Sequence, residues 1–211
     1  MVSRQKTFCP EGMFYFWGES QGFPYDPDKA EELMAKAGYP GGKGLPELTL
    51  NISVAETHKT VAEAIQEDLA NLGVTVRIEM TAWSSFLEKV YAGESLLFQN
   101  TWLGDYPDPD TWLYQLLHSE NFGDPGNITR WSNSEFDHLI SQAQREPDQQ
   151  RRAELYGMAE KIAFDEAPWL MLFWKNSATL VQPWVKGLEI NRMDRTPQLN
   201  NAPIGQVWFE D

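Results

Sequence analysis

The sequence has almost none of the covalent staples that hold many small proteins together: among its 211 residues there is one cysteine, Cys9. A disulfide framework within the chain and a multi-cysteine zinc site are therefore excluded. With no histidine or helix N-terminus beside it to favour the thiolate, Cys9 reads as inert. Long hydrophobic runs are missing too, and no stretch approaches the roughly 18–20 apolar residues that a membrane-spanning helix needs. Arg4 and Lys6 make the beginning basic, but no apolar segment follows them, so it does not read as a secretory signal. Basic side chains are scarce overall: 17 Lys and Arg against 31 Asp and Glu give a formal net charge of −14. Such a surface repels phosphate backbones and anionic lipid headgroups, which argues against nucleic acid and membranes as partners.

Enzyme signatures are equally thin. The sequence contains no G-x-S-x-G, no phosphate-binding G-x-x-x-x-G-K-[ST], no G-x-G-x-x-G and no H-E-x-x-H. Its three histidines, His58, His118 and His138, lie on separate segments without ligand spacing, so surface or half-buried positions are expected for them and no metal site.

What is present is an ordinary globular composition, 42% hydrophobic and 23% charged, with an unusual aromatic load of 9 Trp, 11 Phe and 7 Tyr. Stacking surfaces for a ligand or partner would account for the excess over what a core requires. Residues 1–25 show no periodicity and read as an extended lead-in with an aromatic cluster at 14–17. Asp26 then caps a helix with Pro27 at its first position and a stripe of Ala30, Leu33, Met34 and Ala37, closed by Gly38. Leu48, Leu50, Ile52 and Val54 alternate, which predicts a strand over 47–54. A helix capped by Thr57 follows, with Val61, Ile65, Leu69 and Leu72 on one face, and Val74, Val76, Ile78 and Met80 alternate again. Residues 47–80 thus form a β-α-β unit with parallel strands.

Ser85-x-x-Glu88 has the spacing of a capping box for a short helix stopped by Gly93. Residues 95–101 resemble a third strand, and 102–110 form a loop ending at Asp110, which caps the next helix. Helices follow around Phe136, Leu139, Ile140 and Ala143, and from Asp148 through Leu155, Ala159 and Ile162. The apolar run 169–174 reads as a buried strand paired with 177–181, and a last strand is expected at 205–209. These elements spell an α/β fold with a mixed sheet.

The loop 102–110, Trp-Leu-Gly-Asp-Tyr-Pro-Asp-Pro-Asp, carries three acids in six residues. The calcium-loop pattern fails, because Pro107 and Pro109 fix the chain and the required glycine and distal glutamate are absent. A glycosidase pair would need a second acid that the sequence does not identify. Asp108 suits a turn and Asp110 a helix cap. Asp105 differs: it follows a strand, next to Gly104 and between Trp102 and Tyr106. A carboxylate with aromatic walls at the carboxyl end of a strand suits a cationic group such as an ammonium.

This loop resembles the signature of extracytoplasmic peptide-binding proteins, the solute receptors of oligopeptide and dipeptide ABC importers. Other stretches agree in order: 25–40 beginning Tyr-Asp-Pro-Asp, Leu72-Gly-Val before a strand, Trp83-x-x-Phe-Leu-Glu-Lys, 130–137 beginning Arg-Trp-Ser-Asn, the run after Pro168, and 183–187. The resemblance implies a mixed-sheet lobe of a class II periplasmic-binding-protein-like fold. In that frame, 1–25 is a lead-in from a first lobe absent from this chain, 26–185 the C-terminal ligand-binding lobe, and 186–211 a tail returning to the first lobe. It further implies extracytoplasmic capture of short peptides between two closing lobes, delivery to an ABC permease, no cofactor and no catalysis. By resemblance Asp105 pairs with the peptide's α-ammonium, and Trp83, Trp102 and Tyr106 stand near the ligand. Gln99 occupies a position where some oligopeptide receptors carry an arginine that meets a peptide carboxylate. Receptors for nickel, heme or oligosaccharide on the same scaffold are the alternative, and a carboxylate-pair hydrolase is a more distant one. An isolated lobe is expected to expose apolar faces and to cover them, including by pairing into a homodimer.

Overall fold

The structure, a computed structural model, describes residues 2–10, 13, 15, 22–123, 125–175, 180–187, 208 and 209. In chain order its elements are β1 (Val2–Arg4), α1 (Pro27–Lys36), β2 (Leu48–Ser53), α2 (Glu56–Asn71), β3 (Val76–Thr81), α3 (Trp83–Ala92), β4 (Leu97–Phe98), α4 (Asp110–Leu117), α5 (Ser134–Ala143), α6 (Gln149–Glu166), β5 (Phe173–Lys175), β6 (Val185–Lys186) and β7 (Trp208–Phe209).

The expected β-α-β unit is the centre of a three-stranded parallel sheet of order β3-β2-β4. Leu48 lies opposite Val76 and Ser53 opposite Thr81, while β4 joins the other side of β2. Leu50, Ile52, Val74 and Val76 are buried with Ala62 of α2 to make the sheet core. The antiparallel pairing that a mixed sheet implied exists, but in separate two-stranded ribbons, β1 with β5 and β6 with β7. Strand β4 is shorter than the expected 95–101: only Leu97 and Phe98 pair with β2, and the Gln99 N–H, donating to the Asn51 carbonyl, makes the last backbone contact to it. The described partner of β5 is β1 rather than 177–181, most of which lies outside the described residues. The lead-in aromatics at 14, 16 and 17 and most of the tail also lie outside them.

Local signals were met unevenly. Asp26 caps α1 by accepting the Lys29 N–H at 2.9 Å, but of the stripe only Met34 touches the sheet core, and Leu33 stays exposed. Thr57 lies inside α2, whose cap is Ala55. The Ser85 capping box does not form, because α3 starts at Trp83, directly out of β3, and places Ser85 within its first turn. Gly93 does end α3 in the left-handed conformation. One contact requires its glycines: a Cβ on Gly73, at φ +77°, would stand 2.2 Å from the Gly41 carbonyl oxygen. The turn closing α2 therefore rests directly on the 40–44 loop.

A second core is helical. Trp112, Leu113, Leu116 and Leu117 of α4 pack with Phe136, Leu139, Ile140 and Ala143 of α5 and Leu155, Tyr156, Ala159 and Ala163 of α6. Phe8, Cys9 and Tyr15 of the lead-in complete it. His118, at the C-terminal end of α4, is buried there rather than at the surface, its Nδ1 accepting the Glu120 N–H. Each fully buried Phe or Leu side chain removes enough apolar surface to contribute about 1.5–3 kcal/mol.

Candidate functional site

Loops at the carboxyl ends of a parallel sheet gather where ligands bind in open α/β folds. Here three segments converge on that edge by chain connectivity: the start of α3 after β3, the start of α2 after β2, and the 99–109 loop after β4. Trp83 is the first residue of α3 and is 53% exposed, its ring stacked on Phe86 with centroids 5.7 Å apart. Gln99 is buried at the end of β4, and its Oε1 has no hydrogen-bond partner among the described residues; the same holds for Asn51 Oδ1 and Thr81 Oγ1. Nearby in sequence, Ser53 Oγ and His58 Nδ1 share a hydrogen bond of 2.8 Å between the end of β2 and the first turns of α2.

Beyond Gln99 the chain crosses from the sheet to the helical core. Trp102 packs against that core, with its indole nitrogen buried and unpartnered among the described residues. Gly104 then lies flat on the Trp112 indole; a Cβ there would stand 2.0 Å from the ring. Glycine is the residue that permits this approach, and it fixes where Asp105 emerges. Asp105 is exposed and its backbone N–H donates to Thr111 Oγ1 at 3.2 Å. Tyr106, 42% exposed, donates its hydroxyl to Asp110 Oδ2 at 2.8 Å. Its phenol is pushed up from the ordinary value, first by partial burial, then by the hydrogen bond to Asp110 and the charges of Asp110, Asp108 and Asp105.

The three acids of the loop do not converge on one point. Asp108 holds Arg152 of α6 in a bidentate pair at 2.7 and 2.9 Å, and its Oδ1 accepts the Asp110 N–H. Asp110 is not the cap of α4: Pro109 holds that position and Asp110 is the first helical residue, where its charge suits the helix dipole. Its carboxylate takes the Tyr106 hydroxyl and the Gln144 amide. Of the residues singled out from sequence, Trp102, Asp105 and Tyr106 lie together on this loop, Gln99 lies at its root, and Trp83 stands on a different hydrophobic cluster, that of α3.

Sequence reasoning missed the face of α6 that serves this region. Arg152, Tyr156 and Glu160 recur every four residues, and the Arg152 Nη2 also donates to the Tyr156 hydroxyl at 2.9 Å. Glu160 is fully buried; its Oε1 accepts the Phe8 N–H at 2.6 Å and its Oε2 the Tyr15 hydroxyl at 2.8 Å. Burial pushes this carboxyl above its ordinary range, against the pull of the Tyr15, Phe8 and Cys9 donors. Burial and the Glu160 charge likewise raise the Cys9 thiol. The available signal was the i, i+4, i+8 spacing itself, one position round the helix from the apolar Leu155 and Ala159.

A parallel α/β lobe with its loops collected at the strand ends, backed by a helical layer, is the architecture of a solute-binding-protein lobe. Residues 1–124 match the family described as bacterial extracellular solute-binding proteins, family 5, middle region, and the chain belongs to that family. It is 34% identical over 184 residues to heme-binding protein A of Haemophilus influenzae, covering 86% of this chain and 34% of that protein. It is 38% identical over 145 residues to the dipeptide-binding protein DppE of Bacillus subtilis, covering 68% of this chain and 26% of that one. Among solved structures, the periplasmic binding protein DppA of Helicobacter pylori in complex with the peptide STSA superposes with a TM-score of 0.82 at 27% identity. That match covers 100% of this chain and 40% of the other. The chain thus spans about a third of the length of the relatives it matches.

Proposed function

We propose that this chain is the C-terminal lobe of a receptor that captures short peptides outside the cytoplasm and delivers them to an ABC permease, without catalysis. The observation that carries the reading is Asp105: an exposed carboxylate on the loop that leaves the carboxyl end of β4, its backbone fixed by Thr111 and flanked in sequence by Trp102 and Tyr106. A desolvated ion pair between this carboxylate and an α-ammonium selects a free N-terminus while leaving side chains unread. Trp102, Tyr106 and Trp83 supply apolar walls. Gln99, neutral where an arginine would meet a carboxylate, leaves the other end of the peptide without a fixed charge contact.

A first lobe closing over this edge would cover Trp83, Leu103 and Val54, which are 53%, 54% and 65% exposed. Residues 1–25 and 186–211 are the segments we assign to the connection between lobes. Without that first lobe, we expect two copies of this chain to pair through the same faces. The names of the relatives support peptides as ligand class: DppE is named a dipeptide-binding protein and the Helicobacter pylori structure holds a peptide. Heme is the second reading, because a relative matching 86% of the chain is named a heme-binding protein.

Calorimetry on the complete receptor tests the assignment. Asp105→Asn is expected to cost roughly 2–5 kcal/mol of peptide affinity, the range for truncating one partner of a buried charge pair. Unchanged affinity would remove Asp105 from the site. Saturable heme binding with no peptide binding would move the chain to the second reading, and turnover of peptides lost in Asp105→Ala would make it a hydrolase.

A further inference from the structure

We propose that Arg152 is a positioning residue for the ligand loop, holding Asp105 where it can discriminate a free ammonium group. The inference rests on the peptide reading above. Arg152 sits on α6, 44 residues from the loop it grips. Its guanidinium meets three separate parts of the fold: both carboxylate oxygens of Asp108, the Tyr156 hydroxyl, and the Ala143 carbonyl at the end of α5, the last through Nε at 3.1 Å. The cation also lies 5.2 Å from the centre of the Tyr156 ring. A lysine could reproduce the charge but not this fork.

Asp108 is the knot of the loop. Its N–H donates to the Tyr106 carbonyl at 2.9 Å and its own carbonyl accepts the Thr111 N–H at 3.2 Å. Its Oδ1 accepts the Asp110 N–H at 3.0 Å. Thr111, fully buried, in turn accepts the Asp105 N–H. Asp105 is therefore two hydrogen bonds from the residue that Arg152 holds, and on its other side Gly104 is pressed on Trp112.

Both partners of the Arg152–Asp108 pair are about three-quarters shielded, with side-chain exposures of 24% and 23%, so solvent screens the pair less than an open surface bridge. The pair also cancels one of three negative charges in a six-residue loop. Without the fork, Asp108 no longer fixes the turn that carries Thr111 and Asp105. The carboxylate of Asp105 then loses its single position, and the contrast between a charged and a neutral peptide N-terminus falls. The charge freed on Asp108 acts in the opposite sense, and Arg152→Lys, which keeps the cation and loses the fork, separates the two effects. The clamp thus acts on selectivity and not only on stability.

The test is calorimetry on the complete receptor with a short peptide and its N-acetylated form, reading the ratio of the two affinities. Asp105→Asn serves as reference and is expected to bring the ratio close to one. Arg152→Met and Arg152→Lys are expected to lower the ratio roughly tenfold, a shift of about 1.4 kcal/mol in relative affinity. A residue that merely stabilised the lobe would weaken both peptides alike and leave the ratio intact. Arg152→Lys carries the test should Arg152→Met fail to fold. A ratio that collapses in Asp105→Asn but stays at the wild-type value in the Arg152 variants overturns the positioning role and leaves the Asp105 site standing. A ratio unchanged in Asp105→Asn overturns the site itself, and the positioning role with it.

Discussion

Glu160 offers the sharpest test of how the lead-in is held. Its carboxylate is fully buried, and three donors meet it, all from the first fifteen residues: the Phe8 and Cys9 N–H groups and the Tyr15 hydroxyl. Phe8 and Cys9 are 2% and 0% exposed, so water cannot replace the lost acceptor. Each buried donor left unpaired costs about 1–3 kcal/mol, partly offset by no longer burying a charge. Glu160→Ala is therefore expected to destabilise the chain by about 3 kcal/mol, and Glu160→Gln, which keeps one acceptor oxygen, by about 1–2 kcal/mol. Urea unfolding gives these differences. Amide exchange locates them, with Phe8 and Cys9 losing protection while α4–α6 keep theirs.

The pH dependence has a definite sign. Burial raises the folded-state pKa of Glu160 above its ordinary 4.5, so the folded chain binds this proton more tightly than the unfolded one. The stabilisation from this group is then complete below 4.5 and declines as pH rises through the folded value. The advantage of wild type over Glu160→Gln should shrink across that window. An advantage that grows with pH would mean that the three donors outweigh burial, and the assigned direction would be wrong.

Two further predictions concern packing. Gly104→Ala puts a methyl group 2.0 Å from the Trp112 ring, itself only 6% exposed, and should cost about 1–3 kcal/mol with a change in tryptophan fluorescence; wild-type stability would show that the loop has room to move. Phe136→Ala, at a fully buried position where α5 meets the helical core, should cost about 3–5 kcal/mol in chemical unfolding, and a loss below 1 kcal/mol would show that this core collapses freely.

The parts of this fold legible in the sequence are those written in short-range patterns. Alternation at 48–52 and 76–78, the apolar face of α2 and the stops at Gly73 and Gly93 mark the β-α-β unit, because period and termination act within a few residues. Helix starts were harder. At Ser85 the spacing of a capping box is present, yet α3 begins at Trp83, where strand β3 delivers the chain. Of the β1–β5 ribbon only one side was legible: the apolar run 169–174 announced a strand that overlaps β5, whereas β1, three residues long, is too short to alternate and its pairing with β5 left no local trace. In the site, Gly-Asp-Tyr-Pro within an aromatic setting announced the loop and its first acid. The partners of Asp108 did not appear, because an arginine on a helix face reads as solvated until the tertiary fold brings an acid to it.

The Glu160–Phe8 contact also joins residues 152 positions apart. Closing a loop of that length costs about 2–3 kcal/mol more chain entropy than closing a ten-residue turn, before any contact repays it. The helical hairpins and the β-α-β unit close far shorter loops, so they are expected to form earlier. The lead-in is therefore made before the residues that lock it, and is locked last. Phe8 and the edges of Val2–Arg4 wait unpaired until α6 and Phe173–Lys175 have been synthesised. During that interval the lead-in is the natural foothold for a chaperone or a protease, and slowing α6 would lengthen its exposure.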